Sequence, residues 1–159
     1  MVTLIRTNST HPDFHQLIIP LDKELQALYG EEQAFFDQFN KVDMIRHVII
    51  AYSEDQPVGC GAIKEYSAAV MEVKRMYVDR RFRGRGIALE VLSALEQWAS
   101  ELGYERCILE TGNKQREAIR LYEKAGYRVI PNYGQYIGVE SSICMEKTLV
   151  ATTTESTPV

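Results

Sequence analysis

The sequence is poor in what covalent and metal scaffolds require. Cysteine occurs three times in 159 residues, as Cys60, Cys107 and Cys144, each in an apolar segment and far from the others. Disulfide frameworks and zinc sites need paired spacings that are absent here, so we expect reduced, buried thiols in a cytoplasmic protein and no metal centre. No apolar run reaches the ~18 residues of a membrane span, and the first residues lack the basic-then-apolar pattern of a secretory signal. Positive charge is also in deficit. Lys and Arg number 18 against 22 Asp and Glu, for a formal net charge of −4 and a pI near 5.4. Dedicated nucleic-acid binders are usually basic, so neither nucleic acid nor membrane is an expected partner, and any positive patch must be local.

What is present is a 45% hydrophobic fraction, enough for a core at this length, and one domain is the simplest reading. We place it over residues 1–149. The end of the chain, 150–159, has Thr and Ser where a core would need apolar side chains and is expected to be disordered.

Periodicity orders the rest. Val2–Thr7 alternates apolar and polar residues and reads as a strand. Leu17, Leu21, Leu25 and Leu28 lie at helical spacing before Gly30, with Pro20 marking either the start of that helix or a kink in it. Residues 31–40 suggest a short second helix. Residues 45–54 and 57–66 read as strands joined by a turn around Asp55–Gln56, and Ala69–Val78 as the next strand. From Ile87, apolar residues at 88, 91, 92, 95, 98, 99 and 102 form one face of a helix stopped by Gly103. A strand over 106–111, an amphipathic helix over 117–126, and strands over 127–130 and 141–149 complete the chain. This order predicts a mixed α/β sheet with helices packed on it.

Between the strand ending at Val78 and the helix beginning at Ile87 lies "RRFRGRG", four arginines and two glycines. A helix N-terminus exposes amides without intrahelical partners, and its dipole favours anions. Gly84 and Gly86 allow close backbone approach to a ligand. Arg81, Arg83 and Arg85, with Arg80 and Lys74 nearby, would compensate clustered phosphates. A polyphosphate-bearing cofactor accounts for the combination, although a glycine pair among solvated arginines is the plain alternative. The third glycine of a dinucleotide fingerprint is replaced by Leu89, and the nucleotide P-loop pattern is missing.

A second stretch, "AIRLYEKAGY" from Ala118 to Tyr127, changes the weighing. With Arg81-x-x-Gly84-x-Gly86 it resembles the GNAT superfamily of acetyl-CoA-dependent N-acetyltransferases, over Glu72 to Tyr127. The resemblance implies a central, mostly antiparallel twisted sheet with flanking helices. It also implies acetyl-CoA as cofactor, its pyrophosphate held by Arg81, Phe82, Arg83, Gly84, Arg85, Gly86 and Ile87. Met76 and Val78 would offer backbone hydrogen bonds to the pantetheine arm. The family often places Asn where this chain has Gln115, and Asn113 could substitute for it.

The implied reaction moves an acetyl group from acetyl-CoA to a primary amine of a small molecule or peptide. An alkyl amine has a pKa near ~10.4 and arrives charged. Removal of its proton by a positioned base is worth roughly 10²–10⁴ in rate. Glu72, where some relatives carry a catalytic glutamate, is the candidate base; water, or a structural pairing of Glu72 with Lys74 or Arg75, is the alternative. Tyr122 is the candidate acid for the departing thiolate, or else a core tyrosine. Tyr122 also counts among the cofactor contacts. Residues 13–40 and the loop after Ile130, with Tyr133 and Tyr136, would bind the acceptor. Glu24, Glu31, Glu32 and Asp37 would suit a cationic amine or form a solvated face. A catalytically silent acyl-CoA-binding domain is the rival reading, and a homodimer is left open.

Overall fold

The computed structural model describes residues 1–32 and 44–150. The predicted second helix, from residue 33 onward, and residues 151–159 of the tail lie outside the described residues. In chain order the elements are β1 (Thr3–Thr7), α1 (Pro12–Tyr29), β2 (His47–Ser53), β3 (Gln56–Ser67) and β4 (Val70–Val78). They continue with α2 (Ile87–Glu101), β5 (Arg106–Gly112), α3 (Arg116–Lys124), β6 (Arg128–Ile130) and β7 (Ser142–Thr148). The strands form one seven-stranded, mostly antiparallel sheet in the order β1-β2-β3-β4-β5-β7-β6. The mixed α/β class expected from the sequence is the class observed. Among the described residues no helix is long and apolar enough to cross a membrane.

The chain divides into two compact units, Met1–Lys64 with Lys74–Leu92, and Glu65–Val73 with Ser93–Val159. In the first, β1 pairs antiparallel with β2 from Thr3↔Tyr52 to Thr7↔Val48. β2 in turn pairs antiparallel with β3. The hairpin turn is Glu54–Asp55, one residue earlier than predicted, with φ of 49° and 68° at the two positions. Two consecutive left-handed residues match the twist of the flanking strands.

Helix α1 starts at Pro12, not at Pro20. His11 Nδ1 accepts from the Asp13 amide at 3.1 Å, and proline at the first helical position needs no amide partner. Pro20 therefore sits inside an established helix. The apolar face of α1, Phe14, Leu17, Ile18 and Leu21, packs with Val48, Ile50, Cys60, Ala62 and Tyr77. Full burial of such side chains contributes about 1.5–3 kcal/mol each, which fixes α1 firmly.

In the second unit β7 is paired on both sides. It runs antiparallel to β5 from Arg106↔Thr148 to Gly112↔Ser142 and antiparallel to β6 from Arg128↔Glu146 to Ile130↔Cys144. The start of β4 pairs parallel with β5, Val70↔Arg106 to Glu72↔Ile108. A parallel strand has neighbours on both edges and usually both faces covered, which fits the burial of Val70, Met71, Glu72 and Val73. The three cysteines are free and buried, as their apolar settings predict.

Candidate active site

The arginine–glycine loop lies within the first unit. Asp79 opens it: its Oδ1 accepts from the Arg81 amide at 2.9 Å, starting a single 3₁₀ turn over Arg80–Phe82. Gly84 and Gly86 follow with φ of 79° and 80°, and a Cβ at either would meet nothing within 4 Å. The glycines are thus required by backbone conformation, and the space beside them is open. Gly86 accepts the first helical hydrogen bond of α2, from the Glu90 amide at 3.1 Å, yet has no side chain to cap the amides that follow. Those amides present partial positive charge to whatever occupies the open side.

Gly59, which the sequence analysis passed over, sets where this helix begins. A Cβ there would lie 3.2 Å from Ile87 Cγ2 and 3.2 Å from the Tyr77 carbonyl. Any larger residue would press on both by a few tenths of an ångström.

The arginines are not equivalent. The Arg81 guanidinium binds Asp79 at 3.1 and 3.2 Å, and these bonds hold the Asp79 carboxyl below its ordinary range. Arg80 reaches Glu24 at 3.4 Å. Arg83 meets both oxygens of Glu24 at 3.1 Å, while its Nε donates to the Val78 carbonyl at 2.8 Å. Glu24 is therefore a tie between α1 and the loop. Arg85 alone of the four has no carboxylate partner among the described residues; its guanidinium stacks 5.1 Å over the half-buried Phe82 ring.

On β4, Met76 is half-buried and Val78 is buried. Arg75 takes the left-handed φ of 58° within the strand, a conformation non-glycine residues rarely adopt. Its guanidinium binds Asp22 at 2.6 Å.

Glu72 lies in the second unit, 8% exposed. The Tyr133 hydroxyl donates to its Oε2 at 2.6 Å, across 61 positions of sequence. Burial and the neighbouring carboxylate push the Tyr133 phenol well up from its usual value, so it is held as the neutral donor. The Tyr133 ring meets Tyr66 edge-on at 5.1 Å and Tyr136 at 5.6 Å. Asn132 fixes the loop that carries Tyr133: its Nδ2 donates to the carbonyls of Tyr136, Val139 and Ser142 at 3.0, 3.1 and 3.2 Å. Neither Asn132 nor Tyr66 was singled out from the sequence, because nothing local marks a side chain whose partners are brought to it by the loop.

Tyr122 is on the inner face of α3, 7% exposed, edge-on to Tyr127 at 5.9 Å. Its hydroxyl makes no hydrogen bond among the described residues. Burial first, and then the charge of Glu110, raise its pKa above the ordinary 10.0. Glu110 is itself bound by Ser142 Oγ at 2.7 Å. Gln115 turns its Oε1 onto the Gly112 amide at 2.9 Å, which closes the turn between β5 and α3. Asn113 is exposed, and its amide donates to the Ser141 carbonyl at 2.8 Å. Of the acidic residues proposed for the acceptor, Glu31 and Glu32 are exposed, and Asp37 lies outside the described residues.

The model of the acetyltransferase (GNAT) family matches residues 12–127. The IAA acetyltransferase of Azospirillum brasilense is 33% identical over 150 residues, covering 93% of this chain and 98% of that protein. Among solved structures, a Klebsiella pneumoniae protein provisionally described as an acyl-CoA N-acyltransferase superposes with a TM-score of 0.80 at 30% identity. It covers 94% of this chain and 99% of its own. A GNAT family acetyltransferase from Elizabethkingia anophelis, solved with acetyl-CoA bound, shares the fold at a TM-score of 0.68 and 19% identity, over 93% of this chain and 98% of its own.

Proposed function

The chain belongs to the acetyltransferase (GNAT) family, and we propose that it moves an acetyl group from acetyl-CoA to a primary amine of a small molecule or peptide. Residues 1–149 are taken as one catalytic domain. The observation that carries the cofactor assignment is the backbone at Gly84 and Gly86: two left-handed glycines with open space where a Cβ would stand, followed directly by the N-terminus of α2. A pyrophosphate fits such a cradle, because backbone amides and a helix terminus bind anions without a dedicated side chain. Arg85, with no carboxylate of its own among the described residues, adds a positive charge to it. The loop Arg81–Ile87 would hold the pyrophosphate, and Met76 and Val78 on β4 would meet the pantetheine arm.

When bound, acetyl-CoA supplies the activated acetyl thioester. The chain's own residues handle the protons. The acceptor arrives as an ammonium, and Glu72 takes its proton, a service worth roughly 10²–10⁴ in rate for a positioned base. Tyr122, whose hydroxyl has no hydrogen-bond partner among the described residues, gives its proton to the departing thiolate, and the second proton lost by the acylated nitrogen returns the phenolate to its neutral form. Its raised pKa keeps that proton in place throughout the neutral range.

Gly86→Val tests the cofactor assignment. A β-branched residue at φ near 80° is strained, and its side chain would stand in the anion's place. Calorimetry should show coenzyme A binding lost in a variant that still unfolds cooperatively. Wild-type affinity in that variant would remove the reading. A panel of amine acceptors, followed by release of free thiol from acetyl-CoA, identifies the acceptor class.

A further inference from the structure

We infer that Tyr133 is a positioning residue for Glu72: its hydroxyl grips Oε2 and holds the carboxylate in the one orientation from which it takes the acceptor's proton. The inference rests on the reading of Glu72 as the base.

A carboxylate this deeply buried needs hydrogen-bond donors to satisfy its oxygens. The phenol of Tyr133 supplies a short one at 2.6 Å, and donation to a charged acceptor is among the stronger hydrogen bonds. The donor is itself immobilised. Tyr66 and Tyr136 pack edge-on against its ring. Asn132, one residue earlier, binds three carbonyls of the same loop. Gly134, one residue later, lies where a Cβ would stand 3.4 Å from the Tyr66 hydroxyl. Such a loop is built to deliver one hydroxyl to one place, which is what a base that must meet its substrate in fixed geometry requires. A ring that merely filled space would not need its hydroxyl on the carboxylate.

The link has a signature in pH. Donation to a carboxylate favours its charged form, so removing the donor makes the carboxylate easier to protonate. Among the described residues, the titratable groups that interact with Tyr133 and Glu72 include Tyr136, Cys144 on β7 and, through Tyr136 and Cys144, Glu110 on β5. Burial pushes the Tyr136 phenol up, and it pushes the Cys144 thiol up to about 11. Both stay neutral across the acidic range.

The test is kcat/KM against pH for the full chain, with acetyl-CoA and a reactive primary amine, in Y133F, E72Q, E110Q and the double variant E72Q/Y133F. In Y133F the acidic limb should move upward by about one pH unit, equivalent to a tenfold change in proton affinity, while coenzyme A affinity stays unchanged. E72Q should lose the limb, and adding Y133F to it should change the rate less than twofold, as expected when the second residue acts only through the first. E110Q should leave the limb in place. If E72Q removes the limb but Y133F does not move it, Tyr133 only packs and the inference fails while the base reading stands. If the limb persists in E72Q, the base reading fails and the inference with it. A limb that vanishes in E110Q transfers the titration to Glu110 and overturns the inference.

Discussion

The Arg80–Gly86 loop and the Pro131–Ser141 loop carry their chemistry in opposite ways. The first is exposed, and its shape is set by the backbone: an Asp79 cap, a single 3₁₀ turn and two left-handed glycines. The second is set by side chains. Asn132 gathers three carbonyls, and Tyr133 reaches a carboxylate 61 positions away. A loop of the first kind offers amides to an anion and is indifferent to most side-chain changes except at its glycines. A loop of the second kind delivers one functional group and depends on each link in the chain of contacts. Binding and chemistry should therefore be separable by mutation.

The largest expected effect comes from Tyr122→Phe. Loss of one oxygen leaves the ring packed against Tyr127, so turnover at saturating acceptor should fall by roughly 10²–10⁴, the range for a positioned general acid. Coenzyme A affinity should change only by about one neutral hydrogen bond, ~0.5–1.5 kcal/mol. Because burial and Glu110 raise the Tyr122 pKa, a basic limb below pH 10 in the wild type belongs to another group and should survive in this variant. Parallel losses in binding and turnover would break the separation, and unchanged turnover would make Tyr122 a core tyrosine.

The same contrast explains what could be read from the sequence. Gly84 and Gly86 were legible because left-handed conformations are written locally, in residue type and spacing. So was most of the apolar face of α2: Val91, Leu92, Leu95 and Ala99 are buried as their spacing requires, whereas Leu102 is exposed. The start of α1 was left open at Pro20, because a histidine cap ahead of Pro12 is a weak local signal. Glu24 read as a solvated or acceptor-facing acid because its pairing with Arg83, 59 positions on, follows from the packing of α1. Tyr133 could be proposed for acceptor binding from its loop, but not as the partner of Glu72. Contacts of high sequence separation leave no trace in local pattern, and the site's side-chain half consists of them.

A smaller effect, on stability, should follow Asn132→Ala. The change strips three carbonyls of a shared donor, and groups left unsatisfied where water enters poorly cost about 1–3 kcal/mol. Thermal unfolding should fall by about 2–4 °C per kcal/mol for a chain of this size. Turnover should fall with it, because Tyr133 loses its fixed base, while coenzyme A affinity should not. A loss of coenzyme A affinity would show that the two loops are not independent.

The smallest effect separates the arginines of the first loop from one another. Arg81 and Asp79 neutralise each other at the surface, whereas Arg85 has no carboxylate partner among the described residues and only the Phe82 ring beneath it. Arg81→Ala alone would be uninformative, because it also bares the Asp79 carboxylate beside the anion. Removing the pair as a neutral unit, D79N/R81Q, keeps an oxygen to cap the Arg81 position and leaves the local charge unchanged. Coenzyme A affinity should stay within about twofold in that variant, since exposed ion pairs contribute little. Arg85→Ala removes an uncompensated charge and should weaken binding roughly two- to fivefold at low salt. That difference should shrink as ionic strength rises toward ~0.15 M, where charges more than ~8 Å apart are screened. Equal losses in the two variants would mean that the loop recognises its anion by total charge. Loss confined to Arg85→Ala would mean that the backbone cradle is assisted by one guanidinium free to reach it.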